Sequence, residues 1–298
     1  MRIANNLRFF PCAALLAVSY FFPALPVAAL EGNKVIIKDF KWKIYATGHF
    51  DIHYYPGSEP WLTYASGVLE EAYRRETAEL NPGLAKRIPF FLYGTINDMQ
   101  QSGIADVSDG VGGLTEPFKD RFMVWSDGSK GWLKNVIEHE LAHEMQFSVL
   151  VDGFWKSARI LKTYVYPLWM MEGIAEYETG LYDYALEKMY VRDAVLSGGL
   201  IPLNRLHNFG HLKPHQVTLG YKTGAQAIRF LAEQYGPDKP RKMLELFSSR
   251  YETGSVLMPG QGNRMEDLSR LGVKVIQNES FTRAGLLRLN EVVSRTAL

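Results

Sequence analysis

Apolar and polar residues alternate along two stretches near the start of the chain. Lys34 to Tyr45 alternates apolar with charged residues, and His49 to Tyr55 alternates more regularly and ends at Pro56-Gly57. Successive side chains of a strand point to opposite faces, so both stretches predict half-buried strands. Ile88 to Tyr93 is a continuous apolar run that predicts a buried strand, and Phe122 to Trp125 predicts a further strand.

Most of the remaining apolar residues recur at helical spacing. Ser58 is a suitable N-cap, Glu59 and Pro60 open a helix, and its apolar stripe runs from Trp61 until Asn81-Pro82-Gly83 ends it. Further helices are predicted at Asn97 to Ser102, about Trp132 to Val149, about Pro167 to Leu181 and about Thr223 to Tyr235. Strands come first and helices follow, which predicts an α+β fold rather than an alternating α/β fold.

The first 29 residues have the pattern of a secretory signal peptide. Arg2 and Arg8 form a basic region, Phe9 to Leu25 is apolar apart from one serine, and Val27-Ala28-Ala29 supplies small residues before Leu30. This pattern predicts export with cleavage before Leu30. An uncleaved anchor is the alternative, because the apolar stretch is nearly long enough to span a bilayer.

Charge and cysteine content narrow the possible partners and the compartment. The net charge of +1 would fall to about −1 once the signal and its two arginines are removed, so nothing predicts a nucleic-acid partner. The one cysteine, Cys12, lies in the signal, and the mature chain would carry neither disulfide nor lipid. We therefore expect a periplasmic or extracellular protein of a bacterial envelope, without a stable membrane span after cleavage.

The segment His139-Glu140-Leu141-Ala142-His143 carries the strongest chemical signal in the chain. Residues four apart lie about one turn from each other on one helix face, so both imidazoles can reach a single Zn²⁺ ion. Glu140 lies beside that site, where its carboxylate can deprotonate a zinc-activated water without binding the metal. The segment predicts a zinc site with its own general base; the alternative is an exposed charged helix.

Catalytic zinc normally takes three protein ligands. One class of zinc peptidases would place a histidine six residues after His143 and a glycine three after it, but Val149 and Gln146 occupy those positions and exclude that class. The other class takes a glutamate from a following helix. The next long predicted helix offers Glu172 and Glu176, four apart and therefore on one face.

The segments HELAH and W-x-x-E-G-I-A-E-Y, the latter at Trp169 to Tyr177, resemble the gluzincins and most closely the bacterial peptidase MA-like exported metallohydrolases. They are similar, more distantly, to zinc aminopeptidases and thermolysin-like proteases. The resemblance implies a zincin-like α+β fold: a small N-terminal sheet with an edge strand beside the cleft, then the HExxH helix and a glutamate helix. It also implies that His139, His143 and Glu172 bind one Zn²⁺ ion and that Glu176 orients the first-helix histidine.

A second segment extends the resemblance. Gly220-Tyr221-Lys222-Thr223-Gly224 precedes apolar helical spacing and resembles the Tyr-x-x-Gly segment of zinc aminopeptidases. In those enzymes the tyrosine donates a hydrogen bond to the tetrahedral oxyanion, which implies that role for Tyr221. Two alternatives stay open: a core tyrosine with its hydroxyl at the surface, or one of His207, His211 and His215 as the donor.

The chain also departs from the resemblance. Twenty-eight residues separate His143 from Glu172, and the apolar segment Gln146 to Pro167 between them could cover the cleft, shape substrate pockets or contact a protein partner. The chain lacks the Gly-Ala-Met-Glu-Asn strand that holds a substrate amine in aminopeptidases, and Gly113-Leu114-Thr115-Glu116 matches it too loosely to imply N-terminal trimming. We expect the substrate backbone to pair with an edge strand at Phe122 to Trp125.

These patterns together predict a secreted zinc metallopeptidase that hydrolyses peptide or protein substrates. Residues 1–29 would be the signal peptide, 30–238 the zinc metallopeptidase domain, and 239–298 a helical or irregular extension. The alternative function is a zinc-bearing, non-catalytic binding or scaffold module of an envelope assembly. A glycine-rich stretch at Asp109 to Gly113 predicts a turn and not a phosphate loop, because no Lys-Ser/Thr follows it.

Overall fold

The structure is a computed structural model that describes residues 38–80, 82, 84, 86–102, 107, 110–117, 119–150, 166–180, 182 and 184–252, with the backbone alone for 246–252. Three predicted segments lie wholly or mostly outside these residues. They are the signal peptide, the apolar segment Gln146 to Pro167 and the C-terminal extension. The described part contains a small sheet and seven α-helices, which confirms the predicted α+β class.

Five short strands form a mixed sheet. They are β1 (Lys43–Ala46), β2 (Phe50–Tyr54), β3 (Ile88–Tyr93), β4 (Gly113–Glu116) and β5 (Arg121–Trp125). Their order across the sheet is β1-β2-β3-β5-β4. The central pairs β2–β3 and β3–β5 are parallel, whereas β1 and β4 pair antiparallel with their neighbours.

The helices follow and interleave with these strands. They are α1 (Leu62–Leu80), α2 (Ile96–Gln100), α3 (Lys130–Leu150), α4 (Leu168–Glu178), α5 (Tyr184–Leu196), α6 (Pro214–Tyr235) and α7 (Lys239–Glu252), with 3₁₀ turns at Glu59–Trp61 and Leu203–Arg205. None of the helices in the described part of the chain has the length and apolar character needed to cross a membrane.

The main core lies between one face of the sheet and the long helices. Phe50, Phe90 and Phe122 come from three neighbouring strands and pack in one cluster with Leu69 of α1 and Leu141 of α3. The opposite face carries a smaller cluster that includes Tyr55, Tyr93, Met99, Val107 and Met123. The alternation of buried side chains in β2, β3 and β5 therefore separates two apolar layers, and α3 lies against the larger one.

The strand predicted to bind substrate is not an edge strand. Phe122 to Trp125 belongs to β5, which pairs with β3 on one side and with β4 on the other. The chain turns between Glu116 and Arg121, where Asp120 adopts a left-handed φ of 48°, and β4 runs antiparallel beside β5. The prediction was wrong because Gly113–Glu116 is short and glycine-led, and it becomes a strand only through pairing with β5.

Two helices differ from the sequence-based predictions. Helix α6 begins at Pro214, nine residues before the predicted start at Thr223, with proline in the first turn where its missing N–H costs nothing. Helix α5 was not predicted. Of the first predicted strand, the described residues form a strand only at Lys43–Ala46. Ser58 precedes a 3₁₀ turn without a side-chain capping bond.

Helices α4 and α6 touch backbone to backbone. A Cβ added at Gly173 of α4 would lie 2.6 Å from the backbone C and O atoms of Gly224 in α6, and a Cβ at Gly224 would overlap the carbonyl oxygen of Trp169. Glycine in mid-helix is normally unfavourable relative to alanine by roughly 0.5–1 kcal/mol. Here the absence of a side chain at Gly173 and Gly224 permits the close approach of the two helices.

Candidate metal centre and cleft

Helix α3 carries both histidines of the HELAH segment on one face. His139 and His143 lie one turn apart, their Nε2 atoms are 3.1 Å apart, and their rings are inclined at 86°. The opposite face of α3 is fixed in the main core by Leu133, Ile137 and Leu141, which are fully buried. The core contacts of the helix thus determine where its two histidines point.

Helix α4 brings Glu172 to the same point. Its Oε2 atom is 3.2 Å from Nε2 of His139 and 3.2 Å from Nε2 of His143. Gln146 of α3 donates from Nε2 to the backbone oxygen of Met171 at 3.0 Å, directly before Glu172 in the chain. The two helices are therefore tied together next to the carboxylate, across the segment that separates them in sequence.

The start of α4 is anchored by the loop before α6. The N–H groups of Leu168 and Trp169 donate to the carbonyl oxygens of His207 and Leu206 at 2.9 and 3.1 Å. These bonds satisfy two of the N–H groups that a helix start leaves without partners. His207, one of the alternative oxyanion donors, thus supports α4 through its backbone.

The three donor atoms fit a tetrahedral metal site. Ligand atoms at 2.0–2.1 Å from zinc would be about 3.3 Å from each other in a tetrahedron, and the observed separations are 3.1, 3.2 and 3.2 Å. Nδ1 of His143 is buried without a hydrogen-bond partner among the described residues, and the buried Oε2 of Glu172 faces the two Nε2 atoms. Among the described residues, the side chains of His139, His143 and Glu172 bring three ligand atoms close enough together to hold one metal ion.

The ionisable side chains of this centre shift each other's pKa values. Burial lowers the pKa of His139, but the carboxylates of Glu172, Glu176 and Glu140 outweigh burial and raise this pKa above its usual value. Burial raises the pKa of Glu172, but the two histidines outweigh it and hold this pKa well below its usual range. An anionic carboxylate that lies between two imidazoles favours the binding of a cation among these three groups.

Strand β4 encloses the side chain of Glu140. The Thr115 hydroxyl lies 2.7 Å from Oε2 of Glu140 and 2.9 Å from its backbone oxygen, so it can donate its single hydrogen to either. A Cβ added at Gly113 would lie 2.5 Å from Cγ and 2.9 Å from Oε1 of Glu140. The carboxylate is therefore held between α3 and the edge strand, without contacting a cation among the described residues.

Tyr221 of α6 faces the same centre. Its ring lies 6.3 Å from the ring of His139, and its hydroxyl interacts with the Glu172 carboxylate. Burial raises the pKa of Tyr221, and the neighbouring carboxylates raise it further, so the phenol stays neutral at physiological pH. The sequence left open whether Tyr221 lies at the zinc site or in the core with its hydroxyl at the surface. In the structure its side chain lines the cleft.

Glu176 lies one turn beyond Glu172 on α4. Its Oε2 atom accepts a hydrogen bond from Nζ of Lys222 at 2.7 Å, and this lysine follows Tyr221 on α6. Glu176 also acts on His139 through its charge, which contributes to the raised pKa of that histidine. Its predicted role in orienting a histidine remains a prediction, and the ion pair with Lys222 was not foreseen.

An open cleft of about 450 Å³ joins these groups. His139, Glu140, Glu176 and Tyr221 line one end. The rest of the lining includes Trp125, at the end of the strand expected to bind substrate, and residues that the sequence analysis did not single out, namely Val111, Trp132, Asn135 and Val136. No local motif marks this second group, because it is assembled from β5, α3 and the loop before β4.

The other histidines lie elsewhere. His211 and His215 are exposed, and neither lines the cleft. His49 stacks on Tyr73 and bonds to Glu70 of α1, whereas His53 stacks on Phe91 on the sheet face away from α3. The structure thus gives these four histidines packing or surface positions away from the candidate metal centre.

Two histidines of α3 and a glutamate of α4 thus form a group that could hold a metal ion, with a further glutamate facing the same cleft. The sequence model of the Peptidase MA superfamily matches residues 72–272, and the chain belongs to that superfamily. It is also similar to glutamyl aminopeptidase of Sus scrofa, at 22% identity over 169 residues. That alignment covers 52% of this chain but 17% of the pig protein, so the chain spans about a sixth of that relative's length.

Proposed function

We propose that this protein is an exported zinc metallopeptidase of the gluzincin type, with His139, His143 and Glu172 holding one Zn²⁺ ion. The observation that carries the proposal is the spacing of their three donor atoms, 3.1 to 3.2 Å, beside the buried carboxylate of Glu140. Two imidazoles and one carboxylate are a ligand set of catalytic zinc sites. When bound, zinc would lower the pKa of water to near 7 and polarise a substrate carbonyl.

Glu140 is the proposed general base. Its carboxylate lines the cleft next to His139, and the Thr115 hydroxyl 2.7 Å from Oε2 fixes its orientation. It would accept a proton from the attacking water at one carboxylate oxygen and then deliver that proton to the leaving amine.

Tyr221 is the proposed oxyanion donor. The negative charge of a tetrahedral intermediate needs a neutral hydrogen-bond donor in the cleft. The raised pKa of Tyr221 keeps its hydroxyl protonated across the physiological range. Lys222 and Glu176, paired at 2.7 Å, tie the helix of Tyr221 to the helix of Glu172.

The compartment and partners follow from the sequence. The basic, apolar and small-residue regions of residues 1–29 support export to a bacterial periplasm or cell exterior. Peptides or proteins would be the substrates. The apolar segment Gln146 to Pro167 remains a proposed contact for a protein partner; residues 151–165 of it lie outside the described part of the chain.

The proposal is tested with a broad peptide mixture, with and without a chelator, and with the variant Glu140→Gln. We expect chelator-sensitive cleavage by the wild type and loss of cleavage by the variant, which should still bind one zinc per chain. Peptide hydrolysis that persists in Glu140→Gln would overturn the mechanism. Stoichiometric zinc without chelator-sensitive cleavage of any peptide would instead favour the non-catalytic binding module.

A further inference from the structure

The cleft has two chemically different ends. The polar side is lined by His139, one of the candidate metal ligands, and by Glu140, Glu176 and Tyr221. The other end is formed by Trp125 of β5, Trp132 and Val136 of α3, and Val111 of the loop before β4. Because both ends belong to one open space, a peptide bond at the metal centre would place a neighbouring side chain against the apolar end.

The two tryptophans form a fixed wall. Their ring centroids are 4.6 Å apart with the rings inclined at 51°. The indole N–H of Trp125 donates to the backbone oxygen of Val111 at 2.8 Å, so its remaining surface is apolar. A Cβ added at Gly112 would lie 3.3 Å from Trp132 and 3.0 Å from Val136, so the loop before β4 packs directly against both side chains. A preformed aromatic wall favours large apolar and aromatic side chains.

The charges in the cleft disfavour acidic side chains. Among the described residues, the lining includes the carboxylates of Asp127, Glu140 and Glu176 and neither lysine nor arginine. Away from the metal centre, an acidic substrate side chain would therefore lose hydration without gaining a lysine or arginine partner from the lining. This lining differs from what an enzyme that selects glutamyl residues would require.

The structure also shows no anchor for a free amine on β4. Gly113 and Thr115 face Glu140, so Leu114 and Glu116 face the other side of the sheet. Glu116 is paired there with Arg121, whose guanidinium lies over the ring of Phe91. The acid of the loosely matching Gly-x-x-Glu segment therefore points away from the metal centre.

We infer that the apolar end of this cleft is a binding subsite for an aromatic or large aliphatic side chain next to the scissile bond, within an internal stretch of peptide. The inference rests on the proposed function and adds its substrate class. Trp125 and Trp132 determine the preference by contact with that side chain, and the acidic lining excludes aspartate and glutamate.

The first experiment identifies the cleavage sites in a defined mixture of peptides blocked at both ends, using the zinc-loaded protein and mass spectrometry. We expect Phe, Trp, Tyr or Leu at one fixed position next to the cut bond, and neither Asp nor Glu there. Cleavage with no preference at that position, or with a preference for acids, would overturn the subsite while leaving the proposed function intact.

The second experiment measures binding without catalysis. Calorimetry with Glu140→Gln compares a blocked hexapeptide that contains phenylalanine with the same peptide containing glutamate. We expect the phenylalanine peptide to bind at least about tenfold more tightly, as one large apolar contact discriminates by roughly 10–200-fold. This preference would support the subsite even if the wild type cleaved nothing, whereas equal affinities would overturn it.

Two variants localise the subsite. Trp132→Ala should raise KM for the phenylalanine peptide about tenfold with little change in kcat. Trp61→Ala is the matched control, because Trp61 lines a separate groove beside α1 and should leave this KM unchanged. Asn135→Arg, at a half-buried helix position in the cleft, should shift the preference toward the glutamate peptide. If Trp61→Ala changed KM as much as Trp132→Ala, or if Asn135→Arg bound acidic peptides no better, the subsite would be elsewhere.

Discussion

At the scale of single residues, the environment of Glu140 is the most closely specified part of the cleft. Gly113 leaves room for its methylene groups, and Thr115 offers its carboxylate a hydrogen bond of 2.7 Å. Both come from the edge strand β4 and from the face that meets α3. The strand therefore sets the orientation of the proposed base without contributing a group that reacts.

Thr115→Val should impair catalysis and spare substrate binding. Valine keeps the shape of threonine but cannot donate to Glu140, so the carboxylate loses one bond that is worth about 1 kcal/mol. We expect kcat to fall roughly five- to tenfold with an unchanged KM, and Thr115→Ser to restore most of it. Steady-state kinetics on one fluorogenic peptide measures both, with zinc content as the control for the metal centre.

An equal loss of activity in Thr115→Ser would show that packing at this position, and not the hydroxyl, is what matters. A rise in KM without a change in kcat would assign Thr115 to substrate binding instead.

Some candidate site residues could be recognised from the sequence and others could not, for physical reasons. His139, Glu140 and His143 lie within five residues on one helix, and helical spacing alone brings them to one face. Glu172 and Tyr221 needed the resemblance to a family, because 28 and 77 residues separate them from His143. Thr115 and Trp132 could not be recognised, since only the nonlocal contact of β4 with α3 gives them a role.

At the scale of elements, helices α1, α3 and α4 meet around buried acids. Glu76 of α1 is fully buried, and Glu178 of α4 is nearly so. Arg75 donates to Glu138 at 2.8 Å and to the backbone oxygen of Glu178 at 2.8 Å, which leaves one oxygen of Glu76 without a hydrogen-bond partner among the described residues. Arg75 also donates to the other oxygen of Glu76 at 3.2 Å, and Lys134 pairs with Glu138, so three carboxyl groups face two cations at this interface.

Glu76→Gln should stabilise the protein increasingly as the pH rises. Burial raises the pKa of Glu76 well above its usual value, and the charge of Glu178 adds to this effect. The folded state thus holds a proton that the unfolded state releases above pH of about 4.5, so stability decreases as the pH rises toward the folded pKa. Each unit of raised pKa costs about 1.4 kcal/mol, and glutamine removes this cost.

Urea unfolding at pH 5 and pH 8 measures the effect. The gain in the free energy of unfolding should be larger at pH 8, and Glu71→Gln, at an exposed position of α1, should show no such difference. A gain that is equal at both pH values, or a loss at pH 8, would mean that Glu76 is ionised in the folded protein.

Elements were predicted where the pattern is local. Strands β2, β3 and β5 and helices α1, α3 and α4 follow clear alternation or helical spacing. Helix α5 lacks such a stripe, because Leu186, Met189 and Tyr190 are largely exposed apolar residues on it. Strand β4 and the first turns of α6 depend on partners distant in sequence, so local preference alone could not assign them.

At the scale of the whole molecule, the candidate metal centre takes its ligands from two parts of the chain, which the hydrogen bond between Gln146 and Met171 also connects. His139 and His143 belong to α3, which lies on the sheet, and Glu172 belongs to α4, which packs mainly against α6. A bound ion would bridge these parts in the folded state, whereas the unfolded chain presents no such site. Metal binding should therefore contribute to global stability.

Chelation should lower the melting temperature. A ligand at 100 times its Kd stabilises the folded state by about 2.7 kcal/mol, which corresponds to roughly 5–10 °C for a protein of this size. Differential scanning fluorimetry with zinc and with EDTA measures the shift, and Glu172→Gln should show a much smaller one. A full shift in Glu172→Gln would mean that the stabilising ion binds elsewhere.

The glycine contact between α4 and α6 has a consequence for how the sequence of this protein can change in evolution. Gly173 and Gly224 set the separation of the helices that carry Glu172 and Tyr221 through backbone atoms, which no side-chain exchange elsewhere can alter. The aromatic wall belongs to different elements, β5 and the first turns of α3. On the proposed function, substitutions in that wall would change which side chain is bound and leave the contact between α4 and α6 unaltered.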